Sequence, residues 1–176
     1  MNIIILILKQ QKFSTIFVRI ELVNLSTSKL RLISYNPMMD LKILKLASNT
    51  KYQKKLSDFT HNSKAKNPLC GDEIELFFKV IKGKISGISY QGKNCVYCQA
   101  SANLLSNNSK GKKVEEMIKV CDYAGEFFKN KGDLSENLKK YKELLSSKNI
   151  NRKECILLPF NALKKGLING NKKSYK

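Results

Sequence analysis

Apolar and polar residues alternate most regularly between Glu73 and Val80, where Ile74, Leu76, Phe78 and Val80 are interleaved with Glu73, Glu75 and Lys79. A period of two marks a half-buried strand, because successive side chains point to opposite faces of a sheet. Lys82-Gly83 supplies a turn, and Lys84–Gln91, with Ile85, Ile88 and Tyr90 as its apolar positions, predicts the returning strand of a β-hairpin. The hairpin is open to a third strand from nearby sequence.

Elsewhere the apolar positions recur at helical spacing. Leu41, Ile43, Leu44, Leu46 and Ala47 form a stripe behind Asp40, and a second helical piece is predicted around Tyr52–Phe59. After the hairpin, Val96–Leu105 reads as a helix of small and apolar residues, ended by Lys110-Gly111-Lys112. Val114, Met117, Ile118, Cys121, Ala124 and Phe128 define an amphipathic helix, and Gly132-Asp133 separates it from another near Ser135–Leu145 with Leu138, Tyr141, Leu144 and Leu145 on one face. Asn149–Glu154 reads as a loop. The last predicted helix is Ile156–Leu167, opened by Cys155, with Pro159 tolerated as a first-turn residue.

Three stretches show no such period. Residues 1–37 begin with the apolar run Ile3–Leu8, far short of the ~20 residues that span a bilayer. No basic segment precedes it and no cleavage-site pattern follows closely, which argues against a signal peptide. These residues are expected to be an extension outside the core, the domain starting at Met38 or Met39; the alternative is an arm bound by a partner. His61–Lys66 reads as a polar, lysine-bearing link, and residues 169–176 as a basic, frayed tail.

Composition narrows the function. A chain of 176 residues with 42% hydrophobic content is expected to form one domain with a sizeable core. Its net charge of +19 would suit nucleic acid or an anionic membrane. Lysine, however, outnumbers arginine 30 to 3 and is spread along the chain. That is the profile of an AT-rich coding background, whereas nucleic-acid surfaces favour the bidentate guanidinium. Neither a nucleic-acid nor a membrane partner is expected. The five cysteines, at 70, 95, 98, 121 and 155, are an odd set without a secretory signal, which favours reduced thiols and a cytoplasmic location. The single histidine, His61, sits in a polar run and reads as a solvated loop residue.

The candidate chemistry is centred on Asn67-Pro68-Leu69-Cys70-Gly71-Asp72. Pro68 fixes its own φ and extends Asn67, and Gly71 permits a sharp turn, so that a thiol and a carboxylate two residues apart can face one metal ion. Cys95 and Cys155 could complete a tetrahedral site of three sulfurs and one oxygen. Both fall at predicted helix N-termini, where the macrodipole is expected to lower a thiol pKa. Cys98 lies one helical turn beyond Cys95, a candidate auxiliary thiol. Cys121 lies on an apolar stripe and reads as core. Against a shared site, the spacing of 24 and then 59 intervening residues matches no compact zinc knuckle, and cysteines also serve as small hydrophobes.

Taken with their flanks, these residues resemble the U-type iron–sulfur cluster assembly family (IscU, SufU and the N-terminal part of NifU). The resemblance rests on the Cys70-Gly71-Asp72 turn and on Gly92-Lys93-Asn94-Cys95 followed by Gln99-Ala100-Ser101-Ala102-Asn103-Leu104-Leu105. It is completed by Arg152-Lys153-Glu154-Cys155-Ile156-Leu157-Leu158-Pro159-Phe160-Asn161-Ala162-Leu163, and covers about residues 40 to 168. It implies an α+β fold, a small antiparallel β-sheet packed with several helices, with the metal site at one end of a domain spanning 38–168. It implies that Cys70, Asp72, Cys95 and Cys155 hold zinc or iron, or a transient [2Fe-2S] cluster, with Cys70 as the sulfur acceptor. The implied function is an assembly scaffold that takes sulfur from a cysteine desulfurase and passes the cluster to apo iron–sulfur acceptor proteins, as a monomer or weak homo-oligomer. The alternative is a zinc-dependent sulfur acceptor, a sulfurtransferase for a SUF-type desulfurase; a structural zinc module in a basic binding protein is a third reading. The long gap between the second and third ligand cysteines is similar to the SUF-type branch. Glu154 departs from the histidine or basic residue of the family, the usual Asp-His-Tyr-x-x-Pro-Arg-Asn-like motif is absent, and Cys98 is extra.

Overall fold

The computed structural model describes residues 38–130 and 134–173, with side chains described from Leu41 to Gly170. The expectations for residues 1–37, for the Gly132-Asp133 break and for residues 174–176 lie outside this set.

The predicted hairpin forms as β2 (Glu73–Ile81) and β3 (Lys84–Lys93), antiparallel, joined by Lys82 (φ 49°) and Gly83 (φ 71°). Two positive φ values match the right-handed twist of the flanking strands. Ile74, Leu76 and Phe78 are buried on one face as the alternation requires. The third strand is the polar link itself: β1 (His61–Lys66) pairs antiparallel with β2, giving the order β1-β2-β3. His61 is therefore a strand residue rather than a solvated loop residue, its ring stacked on Phe78 with centroids 5.2 Å apart. Periodicity missed β1 because its inward residues, Ser63 and Ala65, are small. The last helix, α4, comes in close there: a Cβ on its Gly166 would meet Ser63 Cβ at 2.9 Å and Phe78 Cζ at 2.7 Å.

The helices are α1 (Met38–Ala47), α2 (Val96–Ser109), α3 (Val114–Asn130) and α4 (Lys153–Lys173). α4 lies centrally, packed on β1 and β2 and against α2 and α3, while α1 packs on α2. In α1 the buried residues are Ile43 and Ala47, whereas Leu41 and Leu44 are exposed. The orientation is set at its C-terminal end, where Asn103 and Gln99 of α2 donate to the carbonyls of Leu46 (2.7 Å) and Ala47 (3.0 Å). Both carbonyls lie in the last turn, which has no intrahelical donors of its own.

Two predicted helices take other forms. Tyr52–Phe59 is an irregular strap across the outer face of the sheet, with Phe59 edge-on to Phe77 and Asp58 paired with Lys79. The Tyr52 carbonyl accepts the Tyr90 N–H (2.9 Å) at the open edge of β3. Satisfying a free edge amide outweighs local helical spacing here. Between α3 and α4 run two 3₁₀ turns, Glu136–Tyr141 and Ser147–Arg152, the second where a loop was expected. Leu138, Tyr141 and Leu144 are all buried and recur every three residues, the period of the 3₁₀ helix, and the Asn149 amide closes the segment on the Glu143 and Leu144 carbonyls. α4 also starts earlier than predicted. Pro159 thus falls in its interior, not its first turn, and leaves the Cys155 carbonyl without an amide donor four residues on.

Gly92 is the tightest backbone point. Its φ is 155°, and a Cβ there would stand 2.0 Å from the Glu73 carbonyl oxygen on β2. Gly92→Ala is expected to cost about 2–4 kcal/mol, through overpacking and a left-handed φ together. Urea unfolding followed by circular dichroism measures this; wild-type stability would show that the strands separate freely at this point.

Candidate metal centre

Asn67–Asp72 is the six-residue connection between β1 and β2, closed beyond the Lys66–Glu73 pair. The Asn67 N–H donates to the Asp72 carbonyl (2.8 Å) and the Gly71 N–H to the Asn67 carbonyl (2.9 Å). The Leu69 N–H donates to Asn67 Oδ1 (3.0 Å), an Asx-type turn, and Gly71 adopts φ 74°. The result is an exposed tip, Leu69 and Cys70, above a buried base, Asn67 and Asp72.

Asp72 joins this loop to α2. Its Oδ1 accepts the N–H of Cys95 (2.9 Å), the N-cap residue, which makes no side-chain cap bond of its own. A carboxylate is well placed against the positive end of a helix. The other oxygen, Oδ2, is buried with no hydrogen-bond partner. Cys155 arrives in the first turn of α4, its Sγ 3.5 Å from Cys70 Sγ and 3.9 Å from Asn67 Nδ2. Ligand atoms of Cys70, Asp72 and Cys155 all lie within 4.8 Å of one another. Donors ~2.3 Å from a tetrahedral zinc are roughly 3.7 Å apart, so the Cys70–Cys155 separation fits a shared ion. The Cys95 thiol falls outside that threefold group but interacts with both Asp72 and Cys155. Three of the four sequence candidates are thus clustered, and the fourth adjoins them.

The donor set suits a metal such as zinc or iron: thiols for a soft or borderline ion, with a clustered carboxylate, Asp72, that has one oxygen buried without a partner. The thiol pKa values run against the expectation from helix N-termini. Burial pushes Cys95 up, reinforced by the Asp72 carboxylate; burial and the thiols of Cys70 and Cys95 push Cys155 up. Both effects disfavour a second negative charge in the cluster more than the macrodipole favours it. Burial also works to raise Asp72, but the Cys95 N–H bond and the neighbouring thiols of Cys95, Cys70 and Cys155 outweigh it and hold the carboxyl below its usual range. Without a cation the site therefore carries the Asp72 carboxylate beside the protonated thiols of Cys95 and Cys155, and metal binding expels protons.

The remaining cysteines stand apart. Cys98 is buried, donates to Asn94 Oδ1 (3.3 Å), and is raised by burial and then by the nearby Asp72 carboxylate. Cys121 is core, pushed up to about 12 by burial. Glu154 is exposed and 3.9 Å from Lys153. Two features beside the site went unread in the sequence: the Asn67 amide near Cys155, and Arg152 over the Tyr97 ring at 5.7 Å. The Asn67-Pro68 pair signalled only backbone shape.

A three-stranded antiparallel sheet backed by helices, with a cysteine–aspartate cluster where the β1–β2 loop meets the starts of α2 and α4, defines a small α+β sulfur-ligand domain. The chain belongs to the family of the NifU-like N-terminal domain, whose model matches residues 38–173. It is 32% identical over 134 residues to the iron–sulfur cluster assembly scaffold protein IscU of Thermotoga maritima, covering 76% of this chain and 94% of that one. It is 30% identical over 103 residues to the zinc-dependent sulfurtransferase SufU of Bacillus subtilis, covering 57% and 70%. Among solved structures, a candidate assembly scaffold of the SUF system from Fervidobacterium islandicum AW-1 superposes with a TM-score of 0.69 at 26% identity, covering 74% of this chain and 98% of that one. A NifU-like N-terminal protein from Brucella abortus shares the fold, with a TM-score of 0.66 at 22% identity over 75% and 93%.

Exposure separates the thiols of the metal-free protein. Iodoacetamide at pH 7.5 is expected to alkylate Cys70 first, with Cys155, Cys98 and Cys121 slower by at least about tenfold because they are buried and protonated. Timed peptide mass spectrometry measures the order, and labelling of Cys155 ahead of Cys70 contradicts this geometry.

Proposed function

We propose that this chain is an iron–sulfur cluster assembly scaffold, with Cys70, Asp72, Cys95 and Cys155 holding iron and sulfide while a [2Fe-2S] cluster is built and passed on. The observation that carries the reading is that Asp72, whose Oδ2 is buried without a hydrogen-bond partner, is clustered with the thiols of Cys70 and Cys155. A buried polar atom without a partner is costly unless something binds it. The name of the Thermotoga maritima relative supports the same assignment.

The sulfur donor in this reading is a cysteine desulfurase. Cys70 is the acceptor: it is exposed on a loop tip, whereas Cys155 is buried in the first turn of α4 and Cys95 caps α2. The Cys70 thiolate attacks the outer sulfur of the desulfurase persulfide, an S–S bond forms on Cys70, and the desulfurase thiolate leaves. Reducing that sulfur to sulfide takes two electrons from a separate reductant. Asp72 is the hard ligand among soft ones and therefore the exchangeable one. Residues 38–168 carry this function, with 1–37 as an addition; residues 169–173, expected as a frayed tail, continue α4.

The exposure of Cys70 beside buried donors also favours the second reading, a zinc-dependent sulfurtransferase in which one ligand leaves a structural zinc to take up sulfur. The two readings separate on anaerobic incubation with iron, cysteine and a desulfurase. The scaffold is expected to gain about equal iron and labile sulfide with visible charge-transfer bands, and Cys70, Cys95 or Cys155→Ser each to lose most of its metal. Persulfide on Cys70 with zinc retained and no labile sulfide would establish the sulfurtransferase instead.

Asp72→Ala is expected to keep the fold and slow transfer to an apo-acceptor severalfold, since the exchangeable ligand is gone. Stopped-flow transfer at the wild-type rate would remove that role from Asp72.

A further inference from the structure

Cys95 and Cys155 belong to different helices, so the distance between them is set by how α2 and α4 pack. α2 and α4 pack directly on each other, and both carry small apolar side chains that are fully buried, among them Ala100, Ala102 and Ala162. Such contacts are non-directional and leave relative sliding lightly restrained. One directional link crosses them. Ser101 Oγ–H, itself fully buried, donates to the Ile156 carbonyl at 2.6 Å across 55 residues of sequence. Among the described residues no other side-chain hydrogen bond joins α2 to α4.

The acceptor is the carbonyl immediately after Cys155. This turn is also where α4 lacks an internal restraint, because Pro159 supplies no N–H to the Cys155 carbonyl. The link to α2 therefore stands next to the interior hydrogen bond that α4 lacks. We propose that Ser101 is a positioning residue for the metal centre, its bond to the Ile156 carbonyl fixing the turn that carries Cys155 Sγ relative to the start of α2 at Cys95. Ser101 touches no ligand atom of the cluster and acts through the α4 backbone. The inference rests on the four-ligand site of the proposed function.

Cobalt(II) tests it on the full chain, since its thiolate charge-transfer and d–d bands report sulfur ligation and geometry. Ser101→Ala is expected to weaken Co(II) binding about tenfold, the lower range for outer-shell partners of metal ligands, and to shift the d–d bands. A merely structural serine would lower the unfolding midpoint of the metal-free protein and leave both affinity and band positions of the folded form unchanged; that result overturns the proposal. Ser101→Thr and Ser101→Val, alike in shape and differing only in the hydroxyl, give the same comparison if the alanine variant does not fold. Threonine should bind Co(II) more tightly than valine by about the same factor, and equal affinities reject the role. Failure of the wild-type chain to bind Co(II) through sulfur would instead refute the four-ligand site, and this inference with it.

Discussion

The hydrogen bond from the Cys95 N–H to Asp72 Oδ1 is the constraint on which the site depends. It ties a hairpin loop to a helix N-terminus with one carboxylate, using a donor that every helix leaves free. Two consequences follow from one contact. The first oxygen is engaged, so the second is held buried and unpaired beside Cys70 and Cys155. The backbone of Cys95 is also fixed, which brings its thiol against the same carboxylate. The close approach at Gly92 serves this contact, because it lets β3 run tightly along β2 just before the chain turns into α2.

The electrostatics of the cluster oppose those of the chain. A chain of net charge +19 holds a small site that gathers one carboxylate and several ionisable thiols. Among the described residues the lysines do not neutralise it: their ion pairs are with surface carboxylates such as Glu73, Glu75 and Asp122. A bound cation is the natural counter-charge, since each thiolate formed makes the next harder to form.

What the sequence revealed follows from which signals are local. The hairpin was legible because alternation and a turn dipeptide suffice for one. The strand β1 was not, since its inward residues are small to admit α4 at Gly166, a requirement imposed from more than a hundred residues away. Likewise Leu138 and Tyr141 looked helical, but their three-residue spacing belongs to a 3₁₀ turn, and Leu144 follows in the turn beyond it. At the site, residue identity and turn shape were readable from Pro68, Gly71 and the cysteines. The direction of the thiol pKa values was not, because burial and the proximity of Asp72 are properties of the assembled cluster. Ser101 showed the same limit: nothing nearby in sequence indicates that its partner is a carbonyl on α4.

The wide spacing of the cysteines, uninformative as a motif, has a thermodynamic consequence. In the proposed site, a single ion held by Cys70, Cys95 and Cys155 would tie together segments separated by 24 and 59 intervening residues. Such a clip acts as a cross-link, and long closed loops remove more freedom from the unfolded chain than short ones. A loaded molecule is accordingly harder to unfold than an empty one, by an amount set by its affinity for the cargo. Handing the cargo on returns the chain to its looser form, so the occupancy of the protein is written into its own resistance to unfolding.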